Sequence, residues 1–451
     1  MVTSMSSVEA FAGPTTELLQ TLIRNQCVND GRPESGEERR NADVLQTYLE
    51  GAGLDVQRFE SRPGRTSIVA RIEVREPDAP ALCLMGHTDV VPVNPDGWSH
   101  DPFGAELIDG EVWGRGAVDM LNITSSMAVA FRQLATEGFR PEGTLIYFGV
   151  ADEEAGGRWG AEYMVDNHWD AVGAKYVLTE SGGWSQKRSD GTHSITVNVA
   201  EKGLSWRRLR VAGTPGHGSM PYGADNALIT AAEIVRRLVA YRTRANLDDL
   251  WTARLDAIDI PAELRAALSD PATVDDAIAT LPPAYARVAH ACSHTTISPN
   301  VIHGGQKTNT IPDVIEMDVD MRTVPGDTKE VVDRYLAEAL GELAARVEVS
   351  PLQEADSTRS PVDNPLWDAV TTCTKAVYPE ARIIQGLITG GTDARFYRLK
   401  GSVAYGAALF SPGVTMEEFS SRFHGNDERI DTHSLGLSAD FWYHVATQLV
   451  G

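Results

Sequence analysis

The stretch Ala81-Leu-Cys-Leu-Met-Gly-His-Thr-Asp-Val-Val-Pro92 decides the fold. Its first five residues form an unbroken apolar run, which is typical of a strand buried on both faces inside a parallel sheet. Gly86 ends the run, and His87 and Asp89 follow. A histidine beside a carboxylate suits a metal ligand with its partner, because the carboxylate can accept the second imidazole N–H and fix the tautomer. A surface loop that contains both residues by chance is the simpler alternative.

Acidic residues follow two further apolar runs and close one glycine-rich loop. Glu153 and Glu154 come just after a second predicted strand, and Glu180 comes after a third. Asp119 ends the loop Gly114-Arg-Gly-Ala-Val-Asp119, which leads into a predicted helix. Open α/β sheets place their ligands at the carboxyl ends of parallel strands, so these groups are expected to meet. Carboxylates crowded around His87 would repel one another unless cations neutralised them, which predicts a metal site.

These motifs together resemble the M20 family of dinuclear zinc amidohydrolases. That family includes carboxypeptidases, dipeptidases, aminoacylases, acetylornithine deacetylase and succinyl-diaminopimelate desuccinylase. The resemblance covers nearly the whole chain, and its motifs stand in the expected order. They are His87-Thr-Asp89, the loop that ends at Asp119, the pair Glu153-Glu154, Glu180, and Phe423-His424-Gly425-Asn426-Asp427-Glu428.

The resemblance implies an α/β fold: a mostly parallel-sheet, metallo-exopeptidase-like catalytic domain with an inserted, smaller α/β sandwich lid. The 451 residues agree with two domains, since one hydrophobic core rarely supports so long a chain. We expect the catalytic domain at 1–200 and 351–451 and the lid at 201–350. Alternating residues at 194–199 predict an antiparallel strand with one wet face. The proline-broken, helical pattern of 243–291 predicts a helical insertion in the lid.

The resemblance also implies the metal ligands. His87 and Glu180 would hold one ion, Glu154 and His424 a second, and Asp119 would bridge both. The cofactor is then two Zn²⁺ per subunit, with cobalt or manganese as substitutes. The peptide bond that follows the bridging aspartate is expected to be cis.

Three residues are expected to take part in catalysis. Glu153 would take a proton from water and pass it to the leaving amine, and the alternative is a solvated acidic loop. Asp89 would orient its neighbouring histidine. His217, in a Gly/Ser-rich loop of the lid, would hydrogen-bond the developing oxyanion, in some relatives from the other subunit. A lone loop histidine is otherwise usually solvated.

Four residues are expected to contact the substrate. Arg322 and Asn309 match lid positions that bind a substrate carboxylate, and the arginine fork suits that task. The backbone of Gly391 and the hydroxyl of Thr392 are expected to face the substrate. An ordinary strand-surface charge is the alternative for Arg322.

The amino-acid composition argues against some classes of binding partner. The net charge of −23 disfavours nucleic acid and anionic membrane surfaces, because both require a basic face. No signal peptide and no apolar run of ~20 residues is visible. Four scattered cysteines favour reduced thiols, so a cytoplasmic location is expected. A homodimer through the lid is a further expectation that comes from the resemblance.

The predicted activity is zinc-dependent hydrolysis of an amide or peptide bond next to a free carboxylate. The substrate would be a dipeptide, a C-terminal residue or an N-acyl amino acid. Glu180 disfavours an aminopeptidase, because aminopeptidase relatives more often carry aspartate there. The alternatives are an N-acyl-amino-acid deacylase or desuccinylase rather than a peptidase, and a metal-binding scaffold without turnover.

Overall fold

The structure is a computed structural model that describes residues 5–73, 79–414 and 416–451. The helices are α1 (Met5–Arg24), α2 (Arg39–Glu50), α3 (Leu121–Thr136), α4 (Ala161–Asn167), α5 (Trp169–Val172), α6 (Ala227–Ala240), α7 (Asp249–Ala257), α8 (Ala262–Leu268), α9 (Val274–Ala279), α10 (Pro283–Ser293), α11 (Lys329–Leu340), α12 (Pro365–Val377), α13 (Ala394–Leu399), α14 (Met416–Arg422) and α15 (Thr432–Val450).

The strands alternate with these helices through most of the chain. They are β1 (Val56–Arg62), β2 (Arg65–Ile72), β3 (Leu82–His87), β4 (Glu106–Ile108), β5 (Glu111–Trp113), β6 (Leu145–Val150), β7 (Tyr176–Thr179), β8 (Ser185–Lys187), β9 (His193–Glu201), β10 (Gly203–Ala212), β11 (Gly216–His217), β12 (Thr296–Gly304), β13 (Thr310–Ile311), β14 (Val314–Thr323), β15 (Val347–Ala355), β16 (Thr358–Arg359), β17 (Arg382–Ile388), β18 (Val403–Gly406) and β19 (Arg429–Asp431).

A large mixed sheet forms the centre of the molecule, with the strand order β1-β2-β6-β3-β7-β18-β9-β16. Its middle strands β6, β3, β7 and β18 are parallel neighbours. The flanks are antiparallel, at β1–β2–β6 on one side and β18–β9–β16 on the other. Every residue of β3, β6 and β7 is buried, as their apolar runs predict. The α/β fold is thus confirmed, and its parallel part is the centre of the sheet.

The prediction of a wet face on the strand at 194–199 is wrong. These residues belong to β9, which is buried from Ser194 to Glu201 and lies in the large sheet, parallel to β17. The polar side chains of this strand find hydrogen-bond partners inside the protein instead of water. The Ser194 hydroxyl donates to the carbonyl of Ala257 at 2.6 Å, and the Asn198 amide donates to the carbonyl of Ser181.

A second, antiparallel sheet of order β12-β14-β10-β15 lies between β9 and β16 in the chain. One face of it packs against α6 and α11 around Leu209, Ile234, Met317 and Leu336. Buried and part-exposed residues alternate along β14, as its sequence predicts. We call β10, β12, β14 and β15 with α6 and α11 the small sheet unit.

The segment 243–291 contains the helices α7 to α9 and most of α10, and the first of these packs on the large sheet. Its helix α7 contacts β17 of the large sheet, and Leu250 and Leu255 share a core with Ile195 of β9. Arg188, which precedes the small sheet unit in the chain, donates to the carbonyl of Ala257 at 3.0 Å. The apolar face of α7 is therefore buried on the large sheet.

Two adjacent strand connections join the small sheet unit to the large sheet. One passes from β9 to β10 through Lys202, and the other from β15 to β16. The backbones touch at Gly203, where an added Cβ would lie 2.6 Å from the Ser357 nitrogen and 2.7 Å from the Ala355 oxygen. A side chain larger than hydrogen therefore has no room at this crossing.

None of the helices within the described ranges has the length and apolar character needed to cross a membrane. The four cysteines are unpaired and buried.

Candidate active site

Three neighbouring parallel strands end at the same edge of the large sheet. β3 ends at His87, which pairs with Val150 at the end of β6. β7 lies on the other side of β3 and ends just before Glu180. The 3₁₀ turn Glu153–Ala155 follows β6 after two residues. This shared edge brings the predicted ligands together, as open α/β sheets do at the carboxyl ends of their strands.

The side chains form a compact group, the His–carboxylate cluster, composed of His87, Asp119, Glu153, Glu154, Glu180 and His424. His87 Nε2 lies 3.1 Å from Asp119 Oδ1 and 3.9 Å from Glu153 Oε2. His424 Nε2 lies 2.8 Å from Asp119 Oδ2 and 3.4 Å from Glu154 Oε2. The donor atoms of His87, Glu153 and Glu180 all lie within 4.8 Å of one another. Asp119 thus stands between the two imidazoles.

The cluster carries more negative charge than its surroundings can solvate. Burial raises the pKa of Glu153 and of Glu180 well above the usual range, and neighbouring carboxylates raise each pKa further. Burial also raises the pKa of Glu154 to about 7. Burial opposes a charged His424, yet its hydrogen bonds to Asp119 and Glu154 raise its pKa to about 10. Positive charge is therefore needed among these carboxylates.

The donor set fits divalent cations. Imidazole nitrogens and carboxylate oxygens are ordinary zinc ligands, and His87, Asp119 and Glu154 offer such atoms within 4.8 Å of one another. Glu154 Oε1 is buried and has no hydrogen-bond partner among the described residues. A buried carboxylate oxygen without a donor is costly, so a bound cation is a natural partner for it.

The backbone takes unusual conformations where it carries these side chains. The Asp119–Met120 peptide bond is cis, as the resemblance implies. Asp152, Ser181 and His424 have φ of 71°, 69° and 54°, in the left-handed region that non-glycine residues seldom adopt. Each is a cluster residue or the immediate neighbour of one. Left-handed residues of this kind concentrate at functional sites, where tight turns direct side chains to a common point.

Asp89 contacts both the His87 imidazole and the turn that carries the two glutamates. His87 Nδ1 lies 3.0 Å from the backbone carbonyl of Asp89, and 3.6 Å from its carboxylate. The carbonyl is therefore the nearer acceptor for the imidazole. The carboxylate accepts from the backbone amides of Glu153 and Glu154, at 3.3 and 3.1 Å. It thus holds the turn that carries both glutamates.

A buried network under that turn is not predictable from the sequence. Asn29 Nδ2 donates to Asp89 Oδ2 at 2.8 Å, and Asn29 Oδ1 accepts from Arg65 Nη2 at 2.9 Å. Arg65 also pairs with the buried Glu38, whose carboxylate accepts from the Asp152 amide at 3.2 Å. No local pattern marks these residues, because their partners lie far apart in the chain.

Thr392 is buried, and its two donors are taken up inside the protein. Its amide and its hydroxyl both donate to Glu201 Oε2, at 2.6 and 3.0 Å. The other oxygen of Glu201 accepts from the Thr358 hydroxyl at 2.8 Å and lies 3.3 Å from Arg398 Nη1. Thr392 is therefore committed to a buried group at the connection between the two sheets. Gly391 lies beside Arg395, whose Nη2 donates to the Gly156 carbonyl at 2.6 Å.

The predicted lid residues lie on the small sheet unit and the adjoining pair β11–β13. The pairing of β11 with β13 brings His217 opposite Thr310, and the Gly218 amide donates to the Asn309 carbonyl at 2.8 Å. The His217 ring is exposed and bonds to the Ser219 hydroxyl at 2.8 Å. Within the described residues, no hydrogen bond or ion pair joins His217 or Asn309 to the His–carboxylate cluster.

Arg322 is bound within its own sheet. Its Nε donates to Asp320 Oδ1 at 2.8 Å, and its guanidinium lies 5.6 Å from the ring centroid of Trp206. The side chain is 24% exposed. The guanidinium therefore already has partners within the small sheet unit.

The parallel strands of the large sheet thus bring one histidine and several carboxylates to one edge, where His424 joins them, and this donor set suits metal-dependent hydrolysis. The chain belongs to the peptidase family M20/M25/M40, whose family model matches residues 83–448. It is accordingly a hydrolase.

Several named proteins are similar to this chain in sequence or in fold. Aminoacylase-1 of Sus scrofa is 27% identical over 404 residues, which cover 88% of this chain and 86% of that protein. The M20 family metallo-carboxypeptidase Sso-CP2 of Sulfolobus solfataricus has the same fold, with a TM-score of 0.73 and 18% identity over 96% of this chain and 99% of that one. The YXEP protein of Bacillus subtilis, a dinuclear metal-binding peptidase of the M20 family, superposes with a TM-score of 0.62 at 14% identity, covering 98% and 99%.

Proposed function

We propose that the chain hydrolyses an amide bond next to a free carboxylate in a small substrate, with two zinc ions in the His–carboxylate cluster. The observation that carries the proposal is the position of Asp119, whose two oxygens face His87 at 3.1 Å and His424 at 2.8 Å. A dipeptide, the C-terminal residue of a peptide and an N-acyl amino acid all present such a bond. Similarity to aminoacylase-1 favours N-acyl amino acids within this class.

The proposed metal ligands belong to two positions, one for each ion. His87 and Glu180 would hold one ion, Glu154 and His424 the other, and Asp119 both. Cobalt or manganese would serve as substitutes, since they accept the same nitrogen and oxygen donors. When bound, the ions would acidify water and polarise the substrate carbonyl.

Glu153 is the proposed proton carrier. Its Oε2 lies 3.9 Å from His87 Nε2, so it reaches the cluster, and its side chain is 13% exposed, so water can reach it. Burial and the nearby Glu180 raise its pKa. A carboxylate with a raised pKa can accept a proton from water and then donate it to the leaving nitrogen. Glu153 thus acts first as base and then as acid.

His217 is proposed to stabilise the oxyanion from the second subunit of a homodimer. Its ring is exposed, and the neighbouring Met220 and Tyr222 are 71% and 102% exposed. Leu228 and Ile229 at the start of α6 are 50% and 68% exposed. Exposed apolar side chains grouped on one unit are typical of an interaction surface. We propose that a second copy covers these side chains and that His217 then faces its partner's cluster.

Asn309 and Gly391 remain our proposed contacts for the substrate carboxylate. Asn309 lies beside His217 through the pairing of β11 with β13. Arg322 joins them only after it releases Asp320. An arginine freed in this way would offer two donors to the carboxylate.

The test is hydrolysis by the zinc-loaded protein of paired substrates, each with a free and with an amidated carboxylate. Dipeptides and N-acetyl amino acids form the panel, and zinc per chain is measured in the same sample. We expect turnover of the free acids and about a tenfold or greater reduction of kcat/KM for the amides, which corresponds to the loss of one charge-assisted contact. A zinc-loaded protein that cleaves no member of the panel would instead be a metal-binding scaffold.

A further inference from the structure

We propose that Glu428 is a positioning residue that fixes Asp119 and His424 relative to each other, and so sets the affinity for the ion that these two residues share. The inference rests on the proposed dinuclear centre. Glu428 lies four residues after His424 in the same motif and is completely buried. It has no place in the catalytic steps above.

One carboxylate oxygen of Glu428 receives three backbone N–H groups of the glycine-rich loop. Its Oε1 accepts from the amides of Gly116, Val118 and Asp119, at 3.1, 2.6 and 3.0 Å. The last of these amides belongs to the bridging aspartate itself. The loop backbone is therefore held at the residue from which the shared carboxylate projects.

The other oxygen connects to the segment that carries the histidine. Glu428 Oε2 accepts from Arg115 Nη1 at 2.6 Å, and Arg115 Nη2 donates to the His424 carbonyl at 3.3 Å. The Gly114 amide also donates to the Glu428 carbonyl at 2.9 Å. Glu428 and Arg115 thus tie the two ligand-bearing segments to each other from inside the protein.

The arrangement requires the charged carboxylate of a glutamate, which accepts at both of its oxygens. A carboxylate with four N–H donors forms charge-assisted hydrogen bonds, which are stronger than neutral ones. A glutamine would turn its NH₂ group towards one set of donors, leaving either the loop amides or Arg115 without an acceptor. Because metal ligands must be held within about 0.5 Å of their productive positions, loosening the loop would weaken metal binding before it unfolded the protein.

Glu111 supplies a matched control. Its carboxylate also ties the region around His424, through Arg422 Nη1 at 3.1 Å and Arg429 Nε at 3.0 Å. Across the described part of the chain, no hydrogen bond joins the Glu111 carboxylate to the amides of the glycine-rich loop. A Glu111→Gln variant therefore alters a neighbouring carboxylate, while Glu428 and Arg115 still join the Asp119 loop to the His424 carbonyl.

The experiment measures metal content rather than activity. Metal-free wild type, Glu428→Gln and Glu111→Gln are dialysed against a zinc buffer that leaves two ions on the wild type, and zinc per chain is determined. We expect two ions on Glu111→Gln and one on Glu428→Gln, with the second ion bound about 10–100-fold more weakly in a chelator competition. Wild-type zinc content and affinity in Glu428→Gln would overturn the inference.

Two controls distinguish a failed metal centre and a failed fold from a failed inference. Where the wild type itself holds fewer than two ions at saturating zinc, the proposed dinuclear centre fails rather than the role of Glu428. Where Glu428→Gln does not fold, Arg115→Lys replaces it. That variant keeps the positive charge but lacks the second guanidinium nitrogen, which donates to the His424 carbonyl. Weaker binding of the second ion in Arg115→Lys supports the inference, and unchanged binding overturns it.

Discussion

Oδ2 of Asp119 lies 2.8 Å from Nε2 of His424, although the first residue precedes α3 and the second follows α14. The contact joins the first and last parts of the catalytic fold at one carboxylate. The other oxygen of Asp119 lies 3.1 Å from Nε2 of His87. One side chain therefore faces both proposed metal positions.

His424→Ala should retain one zinc ion per chain, because only one proposed position uses this histidine. Asp119→Asn should lose most of both, since the aspartate serves the two positions together. Elemental analysis after desalting gives the zinc content, and circular dichroism controls for folding. Equal losses in the two variants would contradict the bridging assignment.

Glu153→Gln should keep both zinc ions and lose turnover. The amide preserves the size of the side chain and removes its capacity to accept a proton, so we expect kcat to fall by about 10²–10⁴-fold. Steady-state kinetics on the best substrate of the panel, with zinc content measured in the same sample, gives the answer. Glu162→Gln on α4 is a control for a change of charge nearby. Retention of kcat in Glu153→Gln would remove this residue as the proton carrier.

Thr392→Val should lower stability without changing substrate affinity. The variant loses the hydroxyl bond to Glu201 and keeps the amide bond, which should reduce the free energy of unfolding by about 1–3 kcal/mol. Urea denaturation measures this loss, and kinetics at saturating zinc measures KM. A large rise in KM at unchanged stability would instead favour a substrate contact for Thr392.

His217→Ala and Glu153→Gln should complement each other in a mixed dimer. Each variant alone lacks one component of both sites, whereas a mixed dimer has one site with Glu153 from one subunit and His217 from the other. Random assortment would restore up to about one quarter of the wild-type activity. Co-expression with two different tags isolates the mixed dimers for assay. Inactive mixed dimers would show that His217 does not act across subunits.

Lys202 should make stability depend on pH. Its Nζ is buried and donates to the His294 carbonyl at 2.7 Å. Burial, helped by Arg322, lowers its pKa from 10.5 to about 7, although Cys292, Asp320 and Asp327 oppose the shift. Between these two values the unfolded chain holds a proton that the folded protein has released, so folding becomes less favourable as pH falls and more favourable as pH rises.

Lys202→Met removes this titration, and comparison of the two proteins isolates it. Below about pH 7 the lysine is protonated in both states, and its burial cost is fully present. From there towards about pH 10 the wild type should gain stability relative to the variant, by at most about 1.4 kcal/mol per pH unit. Urea denaturation in EDTA at about pH 6, 8 and 9.5, which bracket the titration, measures the difference. A difference that stays constant with pH would refute the lowered pKa.

Local sequence patterns were sufficient for the centre of the fold. The apolar runs that form β3 and β6 predict buried parallel strands because such strands show apolar residues on both faces. From that geometry follows the meeting of His87, Glu153 and Glu180 at one edge. Asp119 joined this group as the end of a glycine-rich loop, whereas His424 came from the order of motifs in a known family.

Longer-range packing could not be predicted in this way. The helices at 243–291 have apolar faces, and sequence alone does not say which sheet buries them. The polar alternation in β9 indicated a wet face, but its polar groups bond to the carbonyls of Ala257 and Ser181. The hydrophobic pattern of a helix or strand indicates which of its faces is apolar and which is polar. It does not indicate which other element packs against that face.

The sequence by itself determined the sheet centre and the chemical types available at its edge, because strand period and strand ends are properties of a few consecutive residues. Only the tertiary structure decided which groups hold those ligands in place. Three buried carboxylates accept hydrogen bonds from residues that are distant in the chain. Glu428 accepts from the Asp119 amide, Asp89 from the Glu154 amide, and Glu201 from the Thr392 amide. A buried carboxylate takes whatever donors the folded backbone brings to it, and those donors are set by the packing of the whole molecule.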